Sequence, residues 1–180
     1  MTTVTTTVRK PMSIPWGPQG AGTGSESITY VAPGEGPSVW ALQGDKYTVK
    51  AGKGTTGPGF TLLEGEIAPD NGPPMHIHND ADEIFYLLDG ELTVASGDEV
   101  IKAESGAFIF IPRGAKHKFR NDSSKITKLL FVLAPAGFEN FFMEIGSPVV
   151  PGKDRPDEPV GYEQLVVQRA EDFGMIIVPE

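Results

Sequence analysis

Three histidines and one glutamate stand at spacings that suit a single metal site. His76 and His78 are separated by one residue, Glu83 lies five positions further on, and His117 comes from a second segment. Side chains two positions apart on a β-strand point to the same face, so His76 and His78 project together while Ile77 projects away. Three imidazole nitrogens and one carboxylate oxygen suit a divalent first-row metal that keeps open positions for water or substrate. The spacing therefore predicts these four residues as metal ligands.

Turn residues frame both ligand segments. Glu83 opens a strand after the polar turn 79–82, and Pro112-Arg113-Gly114 precedes His117. Proline fixes φ and glycine permits unusual backbone angles, so this tripeptide can set the position of the third histidine. An isolated His-x-His pair arises often by chance, and a lone buried histidine is usually a hydrogen-bonded core residue. The offset glutamate and the separately framed third histidine favour the metal interpretation.

The elements that must position these ligands are mostly short strands. From residue 38 onward the sequence has the alternation of β-strands, for example Thr61, Leu63, Gly65 and Ile67 against Phe60, Leu62, Glu64 and Glu66. Asp89-Gly90 marks a hairpin. About ten such strands suit a jelly roll. Two helices are predicted near the C-terminus, one over 138–145 and one over 161–172, the second ending before a glycine.

Both ligand segments resemble the two sequence motifs of the cupin superfamily, strongly over residues 60–134 and more weakly from residue 38. The first motif departs at one position, since Asp70 stands where the family usually has glycine, with Gly72 nearby. The resemblance implies an all-β fold, a double-stranded β-helix or jelly-roll barrel with the metal inside. It also implies His76, His78, Glu83 and His117 as the ligands.

Within the cupins, the lead-in to the first histidine and the tail PAGFENFFMEIG resemble single-domain proteins of the quercetin dioxygenase type. This implies a metal-dependent dioxygenase that cleaves a flavonol-like or other enolic polyphenol with O₂. The resembling group also includes polyketide-tailoring proteins and isomerases, so a non-redox metalloenzyme and a small-molecule-binding cupin are the alternatives. The matching glutamate is thought to serve as ligand and base, and for Glu83 a ligand-only role stays equally open. The metal is a divalent ion, and Ni, Mn, Co, Fe, Cu and Zn all fit the donor set.

Aromatic residues supply the candidate substrate pocket. Five lie on predicted barrel strands, most of them expected in the core: Phe85, Phe108, Phe110, Phe119 and Phe131. Phe85 shares a strand face with Glu83, and Phe119 shares one with His117, so these two are predicted cavity walls. The helix that follows the barrel carries Phe138, Phe141 and Phe142, which are predicted to cap the barrel mouth around an aromatic ligand. Alternatively, that helix only seals the core.

Composition narrows the remaining classes of site and binding partner. The chain has 180 residues, no cysteine and a formal net charge of −9, which excludes disulfides and thiolate ligands and argues against binding a phosphate backbone. We expect an N-terminal arm over 1–35 and one cupin domain over 36–180, with the barrel at about 38–134 and a helical segment at about 137–180. A cytoplasmic homodimer without membrane contact is expected, with strand 38–50 or the arm at the interface.

Overall fold

The computed structural model describes residues 28–179, so most of the predicted N-terminal arm lies outside the described residues. Within that part of the chain, strands dominate and three short helices interrupt them. The strands are β1 (Ser38–Ala41), β2 (Asp45–Ala51), β3 (Thr61–Ile67), β4 (His76–His78), β5 (Asp82–Asp89), β6 (Glu91–Ser96), β7 (Glu99–Glu104), β8 (Phe108–Ile111), β9 (Lys118–Arg120), β10 (Thr127–Ala134), β11 (Ser147–Pro148) and β12 (Met175–Ile177). The helices are α1 (Lys53–Thr56), α2 (Glu139–Ile145) and α3 (Tyr162–Asp172). None of these helices is long and apolar enough to span a membrane.

The strands form two antiparallel layers around one apolar core. The larger layer has the order β11-β1-β2-β3-β10-β5-β8. The second layer contains the sheet β7-β6-β9 and the pair β12-β4, which are connected by a bridge between His76 and His117. The inward side chains of both layers belong to the same buried cluster. This two-layer arrangement is that of the predicted jelly-roll barrel, and its strands from β1 to β10 span the predicted residues 38–134.

The alternation read from residues 60–67 is present on β3, and the structure shows which of its two faces is inward. The inward residues are Thr61, Leu63, Gly65 and Ile67. Gly65 leaves the space that the neighbouring strand needs, because a Cβ there would lie 2.4 Å from the ring of Phe131. The larger layer is therefore closely packed where β3 lies beside β10.

Three of the five barrel aromatics lie in the core, as expected of most of them, and two do not. Phe108 and Phe110 are 63% and 53% exposed on the outer face of β8, while Ile111 is buried between the layers. The segment FIFI is apolar at every position, so its period could not show which face points inward. The register of β8 against β5 decides it, since Phe110 lies opposite the outward Ile84.

The C-terminal segment is less purely helical than predicted. Both predicted helices are present, but β11 pairs with the outer edge of β1, and β12 pairs with β4 beside the histidines. β11 pairs with Val39 and Trp40 on that edge, and a role of the region 38–50 in a dimer interface stays a prediction. The short helix α1 was also not predicted.

Candidate metal centre

Three elements bring the four predicted ligands together. His76 and His78 lie on β4, Glu83 lies near the start of β5, and His117 immediately precedes β9. The backbones of His76 and His117 exchange two hydrogen bonds of 2.9 Å, which fixes the third histidine beside the first. On its other edge β4 is held by β12. All four side chains are buried, and one potential ligand atom from each lies within 4.8 Å of the others.

Backbone carbonyls orient two of the imidazole rings. The Nδ1–H group of His76 donates to the carbonyl of Pro74, and that of His117 donates to the carbonyl of Ala115, each at 2.9 Å. A carbonyl only accepts, so the proton of a neutral ring is on Nδ1 and the lone pair of Nε2 is directed inward. This arrangement is the one that holds histidine ligands in known metal sites.

The inward side of the cluster requires a cation. The Nε2 atom of His117 lies 2.9 Å from a carboxylate oxygen of Glu83, and the Nε2 atom of His78 lies 3.5 Å from the same oxygen. The Nε2 lone pair of His117 and the carboxylate oxygen repel at this distance unless a proton or a metal ion lies between them, whereas a neutral His78 could itself donate from Nε2. The Nδ1 atom of His78 is buried and has no hydrogen-bond partner among the described residues. The residues present therefore fit a divalent metal ion, with small side-chain adjustments, because ligand atoms about 2 Å from one ion lie within about 4 Å of each other.

The electrostatics of the cluster agree with this interpretation. Burial alone would raise the pKa of the Glu83 carboxyl, but hydrogen bonds from His117 and His78 outweigh it and hold that pKa well below its usual range. Burial lowers the pKa of His76 to about 4, and the neighbouring His117 adds to the effect. Burial also lowers the pKa of His117, but the contact with Glu83 more than reverses this and raises it. An ionised Glu83 and a neutral His76 are the protonation states that ligate metals, whereas a metal ion would have to displace the proton that Glu83 stabilises on His117.

The loop before β4 accounts for the one departure from the cupin motif. Asp70, at the usual glycine position, has φ of 57°, a left-handed conformation that aspartate adopts more readily than most residues. Gly72 supplies the close approach, because a Cβ there would lie 2.0 Å from the carbonyl oxygen of Phe119. The departure thus preserves the turn and leaves the ligands in place.

Buried polar residues hold the same loop, and of these the sequence motif included only Asn121. The amide of Asn71 donates to the Leu42 carbonyl and to the Asp45 carboxylate, at 2.6 and 2.7 Å. Asp45 also accepts the backbone N–H of Ala68 at 2.9 Å. Asn121, the last residue of the second motif, donates to the carbonyl of Ile67 at 3.0 Å. The only sequence signal for Asn71 is its place in an Asn-Gly-Pro-Pro turn before β4.

The predicted pocket aromatics divide into two groups. Phe138 lies against the site, with its ring centre 4.9 Å from that of His78 in an edge-to-face arrangement. It packs on its helix neighbours Phe141 and Phe142. Phe85 and Phe119 pack on each other, edge to face at 5.3 Å, and both contact Phe131 deeper in the barrel. Contact of any of the five with a substrate stays a prediction.

Comparison with known proteins bears on the fold and the family. Residues 63–133, which include all four candidate ligands, match the cupin domain family. The solved structure of KdgF from Halomonas sp. aligns with a TM-score of 0.57 over 63% of this chain and 99% of that chain, at 14% identity. The chain therefore contains a cupin domain. Its fold is the expected double-stranded β-helix with few helices.

Two curated relatives indicate which cupins it resembles. Quercetin 2,3-dioxygenase from Bacillus subtilis is 34% identical over 117 residues, which are 64% of this chain and 34% of the relative. Tetracenomycin polyketide synthase protein TcmJ from Streptomyces glaucescens is 29% identical over 70 residues, which are 39% of this chain and 47% of the relative. The matches thus span about a third to a half of the relatives' lengths. The chain is a cupin that resembles quercetinase and carries a buried cluster suited to a metal.

Proposed function

We propose that this cupin is a metal-dependent dioxygenase that cleaves a flavonol-like or other enolic polyphenolic molecule with O₂. The observation that carries the proposal is the buried set of three histidines and Glu83, whose potential ligand atoms all lie within 4.8 Å of one another. The likeness to quercetin 2,3-dioxygenase over 117 residues supports the choice of substrate class.

A divalent ion held by these four residues would supply the positive charge that acidifies a nearby enolic hydroxyl and favours its electron-rich anion. Glu83 is the acidic group of the cluster, and its low pKa keeps it ionised at neutral pH. A carboxylate with a low pKa is a weak base, so we propose that it would take the hydroxyl proton because a nearby divalent ion makes that hydroxyl more acidic. His76 and His117 keep their rings fixed through the Pro74 and Ala115 carbonyls.

The aromatic cover suits an aromatic substrate. Phe138 presents its ring beside His78, and most of that ring is screened from solvent. Apolar walls with a few oriented polar groups are typical of small-molecule sites. We propose that Phe138, Phe141 and Phe142, together with Phe85 and Phe119, form the apolar boundary of the substrate site.

Oxygen uptake tests the proposal. Protein reconstituted separately with each of the six candidate metals would be offered quercetin and a panel of polyphenols and aromatic polyketides. A dioxygenase places both atoms of O₂ in its product, so one molecule of O₂ should disappear for each molecule of substrate lost. The matched variant Glu83→Gln should lose this activity, whereas Glu91→Gln, at an exposed position, should retain it.

A non-redox metalloenzyme, such as a polyketide cyclase or isomerase, is the second candidate. The similarity to a tetracenomycin polyketide synthase protein favours it over a purely binding role. In that reaction the ion acts only as a Lewis acid, so substrate is converted with no O₂ consumed. The same assay separates the two: conversion that continues unchanged in an anaerobic chamber would reject the dioxygenase proposal in favour of this one. Binding without conversion would indicate a binding cupin.

A further inference from the structure

A second buried carboxylate lies close to the metal centre but belongs to a different network. Glu139 is fully buried in the first turn of α2, where acidic side chains usually face water. Its carboxylate accepts the backbone N–H of Lys53 at 2.7 Å, the backbone N–H of Gly137 at 2.9 Å, and the hydroxyl of Thr61. These donors come from α1, from the residue two positions before Glu139, and from the start of β3. The Glu139 side chain therefore ties the start of its own helix to α1 and to β3.

The space around this carboxylate is filled. Gly52, immediately before α1, approaches so closely that a Cβ there would lie 2.5 Å from the carboxyl carbon of Glu139. Shifting α2 would break hydrogen bonds to a buried charge, which are among the stronger hydrogen bonds in proteins. The first turn of α2 is thus fixed against the barrel from two sides.

The residue next to Glu139 is the one that touches the candidate ligands. The Phe138 ring packs edge to face on His78 and is 7% exposed. On its outer side it contacts Phe173, which follows α3. A molecule that reaches His78 from the α2 side must first displace the Phe138 ring.

We propose that Glu139 is a positioning residue that holds Phe138 over the metal centre and thereby sets how readily that centre opens to small molecules. This inference rests on the metal binding proposed above. Glu139 does not touch the metal or the reacting atoms. It acts through Phe138, whose backbone it fixes by accepting the N–H of the preceding Gly137. Loosening this network should increase the rate of access without removing any ligand.

Release of bound Co²⁺ to an excess of chelator measures this access. Phe138→Ala and Glu139→Gln should each release Co²⁺ roughly tenfold faster than the unmodified protein. The first variant lacks the ring that packs on His78, and the second lacks a strong buried hydrogen bond that holds this ring in place. The equilibrium affinity should change much less than the rate, since all four ligands are kept. Glu163→Gln is the matched control, because Glu163 occupies the first turn of α3 but is exposed, and its release rate should stay unchanged.

Thr61→Val is the second variant, in case Glu139→Gln does not fold. It removes one donor to the carboxylate while keeping the shape of the side chain, and it should also accelerate release. The urea dependence of release separates positioning from general destabilisation. A local opening exposes little surface and gives a shallow dependence, whereas release through global unfolding gives a steep one.

Each outcome has a separate meaning. An unmodified protein that holds none of the six candidate metals, Co²⁺ included, would reject the proposed function and this inference with it. A protein that holds Co²⁺ tightly, with variants that release it at the unmodified rate, would leave the metal centre intact and overturn the role of Glu139. A steep urea dependence that matches global unfolding in the variants would likewise overturn it.

Discussion

The two buried glutamates differ in what neutralises them, and that difference separates chemistry from architecture. Glu139 faces two backbone N–H groups and one hydroxyl, so fixed dipoles of the fold stabilise its charge. Glu83 faces the Nε2 atoms of His117 and His78. The Nδ1 proton of His117 is already directed to a carbonyl, so its Nε2 atom can stabilise Glu83 only through an added proton or a metal ion. Burial alone is therefore a poor guide to function, and the partners of a buried charge are a better one.

Removing a ligand should give the largest effect. His117→Ala is expected to weaken metal binding by more than about 100-fold, the upper range for losing even an indirect partner of a ligand. The barrel should remain folded, because its core lies in the two strand layers. Metal content after gel filtration and the far-UV circular dichroism spectrum check both parts.

The control for this variant is Lys128→Ala, at an exposed position on β10, which should keep its full metal content. If His117→Ala or His76→Ala still held one tightly bound ion per chain, the four-ligand assignment would be wrong.

Neutralising each glutamate in metal-free protein sharpens the comparison. Glu139→Gln should lower the free energy of unfolding by about 3 kcal/mol, because a single amide oxygen cannot accept from three donors. Glu83→Gln should cost less than about 1 kcal/mol, since its amide can donate to the Nε2 lone pair of a neutral His117. Urea denaturation measures both values. Equal losses would show that the two carboxylates do not differ as described.

The sequence predicted the parts of the site that local periodicity determines. The relation of His76 to His78 follows from strand alternation, and Glu83 and His117 are framed by turn residues that can be read directly. The alternation of strand β3 was equally readable, and the structure adds which of its two faces is inward.

Contacts between distant segments were not readable. Glu139 sits in an amphipathic helix at a position where an acidic residue is ordinarily solvated, and two of its three donors lie 78 and 86 residues earlier. The pairing of β12 with β4 could not be predicted for the same reason, since residues 175–177 and 76–78 are far apart in the sequence. Such contacts depend on tertiary packing, which no short sequence window contains.

Replacing a glycine that allows two segments to approach closely should destabilise the fold more than replacing one in open space. Gly72→Ala is expected to lower the free energy of unfolding by about 1–3 kcal/mol, because its Cβ would collide with the backbone of Phe119 and move the loop before β4. Metal affinity should fall as well, since that loop carries the carbonyl that orients His76. Gly54→Ala in α1, where nothing lies within 4 Å of the new Cβ, should be neutral or slightly stabilising. Equal stabilities of the two variants in urea denaturation would contradict the packing argument.

A third buried carboxylate, Asp45, extends the comparison to pH. Burial raises its pKa to about 7, although Ala68, Asn71 and Tyr47 donate hydrogen bonds that lower it. The folded protein therefore binds a proton that the unfolded chain has already lost above pH 4, so Asp45 makes the free energy of unfolding fall as pH rises from about 4 to 7. Asp45→Asn should remove this contribution, and the difference between variant and unmodified protein should shift by about 1 kcal/mol or more across that range. Other titrating groups are common to both proteins and cancel. A difference that stays constant with pH, in metal-free thermal unfolding, would mean that the hydrogen bonds to Asp45 outweigh its burial and that its pKa is not raised.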